Sequence, residues 1–281
     1  MAAGFWDKVG KMDRRWIYLM AGIAVIIPFI VPVHFPIEIT PEVQELYDAV
    51  AALPDSSVVM LTYDYYPSTI AETEPMSRAA LRQLFAKDCR VVTISNIPLG
   101  GPTIAERVTR EIAAEYGKKY GVDYVNLGFK YNYVAVMMGM GTSIESIFPT
   151  DNLGTPLSKL PLMDSVKNYS DISFIFIVAD NATADYWISI VNAQYGVPMC
   201  CGASAVSAPR YYSFLGSGQL VGLLGGMKGA AEYEILVGHK AMAYRGMDAQ
   251  SLIHLLIIGL VILGNVSFFM VLRSKRRRAE A

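Results

Sequence analysis

The stretch SFIFIVADN, from Ser173 to Asn181, decides the fold of this chain. It is an unbroken apolar run of strand length that ends in Asp180 and Asn181. A strand that is apolar on both faces belongs in the middle of a parallel sheet covered by helices. The segment ATADYWISIVNAQYG follows, and its apolar residues share one helical face at Trp187, Ile188, Val191 and Tyr195. Together the two segments predict a βα unit.

Four other segments repeat this strand pattern. Each is a short apolar run that ends near a polar residue, and a connecting segment separates it from the next run. The predicted strands are VVMLTYD from Val58 to Asp64, RVVTISN from Arg90 to Asn96, VDYVNLG from Val122 to Gly128 and VPMCCGAS from Val197 to Ser204. Parallel strands joined by right-handed crossovers form one sheet with helices on both faces. The sequence therefore predicts a single doubly wound, mostly parallel five-stranded α/β domain, Rossmann-like or flavodoxin-like in architecture.

Three further segments complete this domain. Helical spacing of apolar residues from Asn132 to Phe148 predicts a helix. The segment from Pro149 to Asp171 is rich in Pro, Ser, Asn and Asp, and such a length of irregular chain predicts a functional loop or an interface arm. A glycine-rich helix from about Ser217 to Val237 is expected to close the domain.

Two long apolar runs lie outside this domain and predict two membrane spans. The run from Trp16 to Val33 has no charged residue and is just long enough to cross about 30 Å of hydrocarbon as a helix. The run from Ser251 to Leu272 is interrupted only by His254, Asn265 and two serines. The predicted boundaries are a tail at 1–15, a signal-anchor span at 16–35, a linker helix at 36–54, the α/β domain at 55–248, a second span at 249–272 and a basic tail at 273–281.

Basic residues near the spans predict the orientation of the chain. The first tail carries Lys8, Lys11, Arg14 and Arg15, and the second carries Arg273 and the basic residues 275–278. Residues 37–50 contain no Lys or Arg. Because Lys and Arg concentrate on the cytoplasmic side, both tails are expected in the cytoplasm and the α/β domain outside it, in the cell membrane.

Small and polar residues predict contacts between helices. Glycines recur mostly three or four residues apart in the predicted closing helix, at Gly218, Gly222, Gly225, Gly226 and Gly229. Each glycine costs about 1 kcal/mol of helix propensity relative to alanine, so close backbone contact is expected to offset the cost. That contact either packs within the domain or forms a seam between subunits. Asn265 is a further candidate interface residue, because an amide within a membrane needs a partner.

Polar residues at the strand ends are the candidate ligand-binding residues. In an open α/β sheet the ligand crevice lies beyond the carboxyl ends of the strands. The residues predicted there are Asp64, Asn96, Asn126, Asp180, Asn181 and Ser204. The same residue types also cap helices and turns at βα junctions, so a purely structural role is the alternative.

Several classes of function are disfavoured by the sequence. The histidines are His34, His239 and His254, all beside or inside a predicted span, so no Ser–His–Asp or Cys–His set and no usual zinc site is expected in the domain. There is no GxxxxGK[ST] motif, and no cofactor or metal is predicted. The formal net charge of −1 disfavours nucleic-acid binding. Three cysteines do not make a disulfide framework.

Three functions remain open from the sequence. The first is a non-enzymatic membrane subunit whose external domain assembles with copies of itself or with a partner in a larger membrane complex. The second is a sensor that binds a small ligand at the strand ends. The third is an enzyme that uses Asp64 and Asp180 or a nucleotide.

Overall fold

The computed structural model describes residues 6, 11–31, 33 and 35–279. The chain divides into two compact units, Ile37–Tyr244 and the two chain ends Met1–Pro36 with Arg245–Ala281. The second unit is called the terminal unit below, and the first is called the α/β unit. Each is described by itself.

The α/β unit alternates strands and helices along the chain. Its strands are β1 Val58–Asp64, β2 Arg90–Ser95, β3 Tyr124–Phe129, β4 Phe174–Ala179, β5 Met199–Ala203 and β6 Leu223–Gly225. The helices up to β4 are α2 Pro41–Ala51, α3 Ile70–Ala86, α4 Gly101–Glu115, α5 Tyr133–Met140, α6 Ile144–Ile147 and α7 Pro161–Asp164, after α1 Arg14–Ile30 of the terminal unit. The later helices are α8 Thr183–Tyr186, a π-helical turn Trp187–Asn192, α9 Ala193–Tyr195, α10 Tyr212–Gly216, α11 Gly226–Leu236 and α12 Met242–Ala279.

The sheet is parallel throughout, with the strand order β3-β2-β1-β4-β5-β6. Every residue of β1, β4 and β5 is buried, as expected for central strands covered by helices on both faces. The α/β class and parallel sheet predicted from the sequence are therefore confirmed. The strand count is corrected from five to six, because β6 is a three-residue strand too short to stand out in the sequence.

The predicted closing helix from Ser217 to Val237 is wrong. The segment makes a turn at Gly218, forms β6 and becomes helical only at Gly226. Gly226 has a φ of +59°, a value that glycine adopts readily and that a side chain resists. The first half of the predicted helix is therefore absent, and Leu223–Gly225 pairs with β5 as a strand instead.

One other prediction in the domain is corrected, and a second stays a prediction. The helix expected from Asn132 to Phe148 is broken into α5 and α6, because the Ser143 hydroxyl accepts a hydrogen bond from Ser146 N and starts a new helix at Ile144. The segment from Pro149 to Asp171 contains short helical turns, and its apolar residues, including Leu157, are buried in the core. Part of this segment therefore packs within the domain, and its role as a functional loop or an interface arm stays a prediction.

Helix α11 carries two buried carboxylates that hold neighbouring segments. Glu232 accepts hydrogen bonds from Thr40 N and Thr40 Oγ1, at 2.7 and 2.8 Å, just before α2. Glu234 accepts from the backbone N–H groups of Ala241, Ala243 and Tyr244 at the start of α12. Burial raises the pKa of Glu234, and these three N–H donors partly oppose that shift. The predicted linker helix, observed as α2, is thus fixed within the α/β unit.

The terminal unit contains one helix that is long and apolar enough to cross a bilayer, among the residues that the structure describes. It covers Met242–Ser274 and lies within α12. Helix α1 has 17 residues, which span about 25 Å and fall short of a hydrocarbon core of about 30 Å. It ends at Ile30 because Val31, which precedes Pro32, is extended. This helix supports the second predicted span. The first predicted span is not supported, because α1 is too short to count as a spanning helix.

Two hydrogen bonds join the separate stretches of the terminal unit. Ser267 Oγ donates to the carbonyl oxygen of Trp6 at 2.6 Å, and Ser267 is buried. Phe35 N donates to Asp248 Oδ1 at 3.0 Å. The candidate interface residue Asn265 donates its amide to Val261 O at 2.9 Å within its own helix. Its predicted contact with another helix stays a prediction.

Candidate functional site at the carboxyl edge of the sheet

The strand order reverses between β1 and β4, so this pair is the topological switch point of the sheet. Open α/β sheets bind ligands in the crevice beyond the carboxyl ends of the strands at such a point. Asp64 is the last residue of β1, and Asp180 and Asn181 follow β4 directly. The fold therefore brings three of the sequence-predicted residues to the place where a ligand crevice is expected.

Asp64 is fully buried and surrounded by hydrogen-bond donors. Its Oδ1 accepts from Asn96 N at 2.6 Å, and its Oδ2 accepts from Asn96 Nδ2 and Trp187 Nε1, both at 3.0 Å. Burial raises the pKa of Asp64, and the donors on Asn96 and Trp187 oppose that shift. This carboxylate ties the end of β1 to β2 and to the helical segment after β4.

Asp180 binds the loop that follows β1. Its Oδ2 accepts from Tyr66 N at 2.8 Å and from Thr69 Oγ1 at 2.6 Å. In doubly wound nucleotide-binding folds the phosphates bind at this first loop, before the first helix of the sheet. A carboxylate of the protein itself occupies these donors here, which disfavours binding of a phosphate group.

Asn181 and Ser204 also form bonds within the chain. Asn181 Nδ2 donates to the carbonyl oxygen of Asp64 at 2.7 Å and to Asp180 Oδ1 at 2.9 Å. Asn181 Oδ1 accepts from Thr183 N at 2.9 Å, which is the helix-capping role considered as the alternative from the sequence. Ser204 Oγ lies 3.2 Å from Ser207 Oγ, and Ser207 Oγ donates to the carbonyl oxygen of Asp180.

Asn126 is separate from this group. It lies within β3 and not at its end, because the strand continues to Phe129 after a register shift against β2. Its Oδ1 accepts from Gly128 N at 2.9 Å, and its Nδ2 approaches Glu106 Oε2 of α4 at 3.4 Å. The prediction that Asn126 marks a strand end is therefore wrong.

Two buried oxygen atoms at the switch point have no hydrogen-bond partner among the described residues. They are Asn96 Oδ1 and Thr183 Oγ1, and both residues are more than nine-tenths buried. The side chain of Thr183 also opposes the rise in the pKa of Asp64. Buried polar atoms are nearly always bonded, so these two acceptors are an exception at the switch point.

Four exposed apolar side chains lie on loops at the carboxyl edge of the sheet. They lie on the loops that follow β1, β2, β3 and β5, at Tyr66, Leu99, Tyr131 and Val206, with exposed fractions of 40, 68, 82 and 92 %. We call these four residues the apolar rim. Because the strands are parallel, all four loops emerge at the same edge of the sheet.

The loops that carry the apolar rim are braced against one another. Asp180 bonds the loop of Tyr66, and Glu72 Oε2 accepts from Ala205 N, beside Val206, at 2.7 Å. A Cβ placed on Gly100 would lie 3.0 Å from Pro67 Cγ, so the loop of Leu99 packs on the loop of Tyr66. These contacts hold exposed apolar groups in fixed positions, which is a property of binding surfaces.

Sequence reasoning missed the partners Thr183, Trp187 and Thr69. Thr183 and Trp187 are four residues apart and therefore share one helical face directly after Asp180. A buried indole N–H usually finds a hydrogen-bond partner, so this spacing was an available signal for Trp187. A π-helical turn also begins at Trp187, and such turns are frequent at functional sites. Thr69 gave no comparable signal, because its contact depends on loop conformation.

Comparison with known protein families, with curated protein sequences and with solved structures finds no match to this chain.

Proposed function

We propose that this protein is a membrane-anchored, non-enzymatic assembly subunit whose α/β domain binds copies of itself or a partner protein through the apolar rim. The observation that carries this proposal is the set of four strongly exposed apolar side chains on one braced edge of the sheet. Exposed apolar groups at the centre of a patch, with polar groups beside them, are typical of protein interfaces. Tyr131 and Phe129 stack edge to face with ring centroids 4.9 Å apart, which adds area to this edge.

The membrane anchoring rests on the two apolar runs of the sequence. Helix α12 has the length and composition of a span, and we propose that α1 forms the second. Local thinning of the bilayer can accommodate a helix a few Å short. In this arrangement both tails are cytoplasmic, as their basic residues indicate, and the α/β domain lies outside the cytoplasm.

The environment of the two aspartates favours a binding role over an Asp-based enzyme. Asp64 is enclosed, with both carboxylate oxygens bonded to Asn96 and one of them also to Trp187. Asp180 is bonded to the loop after β1. A catalytic carboxylate must reach a substrate within about 3 Å, and Asp64 has no exposed surface for such contact.

The apolar rim can be tested by changing Leu99 and Val206 to Asp in the full chain. Each change places a charge at an exposed position, so the fold should be retained while association weakens by at least about tenfold per residue. The measurement is the mass of the particle extracted from native membranes in mild detergent, with circular dichroism as a check on folding. Val122→Asp is the matched control, because Val122 is 46 % exposed but lies before β3, away from the rim.

We expect the wild type and Val122→Asp to give the same large particle, and Leu99→Asp with Val206→Asp to give a smaller one. A wild-type particle with the mass of one chain would overturn the proposal. An unchanged particle in the rim variant would also overturn it.

A second candidate function is supported by the unpartnered atoms at the switch point. Asn96 Oδ1 and Thr183 Oγ1 can both accept a hydrogen bond. Two unpartnered acceptors suit a small ligand that carries N–H donors, such as a primary amine. The chain would then act as a sensor whose domain responds to that ligand.

This candidate is tested by melting the full-length protein with ammonium and methylammonium salts, against sodium salts of equal concentration. A rise in melting temperature with the amines that is lost in Thr183→Val would support it, since valine keeps the shape of threonine without its hydroxyl. Equal melting in all salts, or an equal rise in the variant, would contradict it.

A further inference from the structure

The sequence contains three Asn-X-Ser/Thr motifs, the acceptor pattern for N-linked glycans in exported proteins. The motifs begin at Asn168, Asn181 and Asn265. Glycosylation joins a sugar to the side-chain amide nitrogen Nδ2 of the asparagine. In the folded protein that nitrogen must therefore lie at the surface and must have no other bonding role. The three motifs differ in this respect.

Asn181 and Asn265 do not meet this requirement. Asn181 Nδ2 donates to the carbonyl oxygen of Asp64 at 2.7 Å and to Asp180 Oδ1 at 2.9 Å, and Thr183, the third residue of the motif, is buried. A glycan on Asn181 would break bonds that hold the switch point. Asn265 lies in the helix that is long and apolar enough to cross a bilayer, where a polar glycan is costly.

Asn168 meets the requirement. It precedes the short helical turn Tyr169–Asp171, is partly exposed, and its Nδ2 has no hydrogen-bond partner among the described residues. Ser170, the third residue of the motif, is exposed. Tyr169 between them is buried and donates its hydroxyl to Met137 O at 2.9 Å. The middle residue thus anchors the turn in the core and leaves the two motif residues at the surface.

The hydroxyl of Ser170 contacts the acceptor amide. Ser170 Oγ donates to Asn168 Oδ1 at 2.6 Å, and Ser170 N donates to the same oxygen at 2.9 Å. Donors on the amide oxygen draw electron density away from Nδ2 and make its protons more acidic. These bonds use only the oxygen of the amide, so Nδ2 can lose a proton and carry a sugar while the turn keeps its hydrogen bonds.

We propose that Asn168 is the attachment site of an N-linked glycan on the α/β domain. The sugar donor is an oligosaccharide carried on a polyprenyl pyrophosphate. A bond forms between Asn168 Nδ2 and the anomeric carbon of the first sugar, the bond from that carbon to the pyrophosphate breaks, and the polyprenyl pyrophosphate leaves as Nδ2 loses one proton to a base of the transferase. This inference rests on the proposed function, because it requires the domain to lie outside the cytoplasm.

The test expresses the full-length chain in cultured eukaryotic cells, extracts it from their membranes in mild detergent and isolates the monodisperse fraction. Peptide N-glycosidase then removes any glycan and converts the acceptor amide to a carboxylate, so that peptide mass spectrometry identifies the site. Asn168→Asp keeps the oxygen that Ser170 bonds and removes the amide nitrogen. Ser170→Ala removes the hydroxyl, and Asn181→Asp is the matched control.

A further variant reports the position of the domain independently. Asp55→Asn creates a new acceptor motif with Ser56 and Ser57, ahead of β1. The side chain of Asp55 is 86 % exposed, so a glycan there is compatible with the fold.

We expect the wild type and Asn181→Asp to carry a glycan at Asn168, and Asn168→Asp and Ser170→Ala to lose it. Asp55→Asn should carry a second glycan at the new motif. A glycan at the new motif with none at Asn168 would overturn this inference and leave the external position of the domain standing. No glycan at either position would overturn both. A wild-type glycan at Asn181 in place of Asn168 would also overturn the inference.

Discussion

At the scale of single residues, Asp64 and Asp180 show how a strand end suited to a ligand is used by the fold itself. Asp64 accepts from the backbone and the side chain of Asn96 and from the indole of Trp187. Asp180 accepts from Tyr66 and Thr69. Hydrogen bonds to charged groups contribute about 1.5 to 3 kcal/mol each, so these carboxylates hold the loops that follow β1 and β2, which carry Tyr66 and Leu99.

The titration of Asp64 predicts a pH dependence of stability. Burial raises its pKa above the usual value of 3.8, so the folded state holds this proton more tightly than the unfolded state. The stability that this group contributes is fully present below pH 3.8 and is lost as the pH rises through the folded pKa. Asp64→Asn removes the titration. The melting temperature of the wild type minus that of the variant should therefore fall as the pH rises above 3.8.

Asp88→Asn is the control for this experiment. The hydrogen bond and ion pair with Lys118 lower the pKa of Asp88, so its contribution is present above pH 3.8 and is lost as the pH falls. Asp88 is exposed, and its effect should be small and opposite in sign to that of Asp64. A wild-type minus Asp64→Asn difference that stays flat with pH would contradict the assignment.

At the scale of elements, each of the glycines before and within α11 allows close contact with a different neighbouring segment. A Cβ on Gly222 would lie 2.4 Å from Leu46 Cβ and 2.7 Å from Glu42 O of α2. A Cβ on Gly226 would lie 2.7 Å from Ala205 Cβ, and one on Gly229 would lie 2.9 Å from the backbone of Leu224. These close approaches are all made within the α/β unit. Contacts within the α/β unit therefore account for the glycines at these three positions, and a seam between subunits is not needed to explain them.

Gly222→Ala is expected to destabilise the α/β unit. The new methyl group meets backbone and Cβ atoms of α2, which cannot rotate away, so the change should cost about 1 to 3 kcal/mol. For a unit of this size each kcal/mol lowers the melting temperature by about 2 to 4 °C. Gly216→Ala is the control, because a Cβ there meets nothing within 4 Å. A lower particle mass with unchanged melting of Gly222→Ala would instead indicate a subunit seam.

At the scale of the whole molecule, the chain places its apolar sequence at both ends and a parallel sheet between them. Helix α12 starts in the α/β unit, where Glu234 bonds its first N–H groups, and continues into the terminal unit. On the same helix α11, Glu232 bonds the residue before α2. One helix of the domain therefore holds the chain both where it arrives from the first apolar segment and where it leaves for the second.

The proposed topology predicts the labelling of introduced cysteines on intact cells. An impermeant thiol reagent should label Val122→Cys in the external domain and leave Ala3→Cys unlabelled. Native thiols give little background, because Cys89, Cys200 and Cys201 are buried and burial raises the pKa of each thiol. Labelling at position 3 without labelling at Val122 would reverse the orientation. Labelling at both positions would contradict a two-span chain.

The sequence alone was sufficient to predict the α/β class, the parallel sheet, the five longer strands and the apolar helix near the C-terminus. Burial on both faces requires continuous apolar runs such as SFIFIVADN, and this pattern is local. The same rule placed Asp64, Asp180 and Asn181 at one edge, because parallel strands end on the same side of a sheet. These properties depend on composition along a short stretch of chain.

Only the tertiary structure decided the sixth strand, the path of the glycine-rich segment and the role of each polar residue at the switch point. β6 is a strand because it pairs with β5, and Gly222 and Gly226 are required by atoms of Leu46 and Ala205, which are distant in sequence. The apolar rim likewise depends on four loops that the parallel sheet places at one edge. A local sequence pattern indicates which residues are buried. Hydrogen-bond partners and close contacts come from segments far apart in the chain, and only the packed fold brings these segments together.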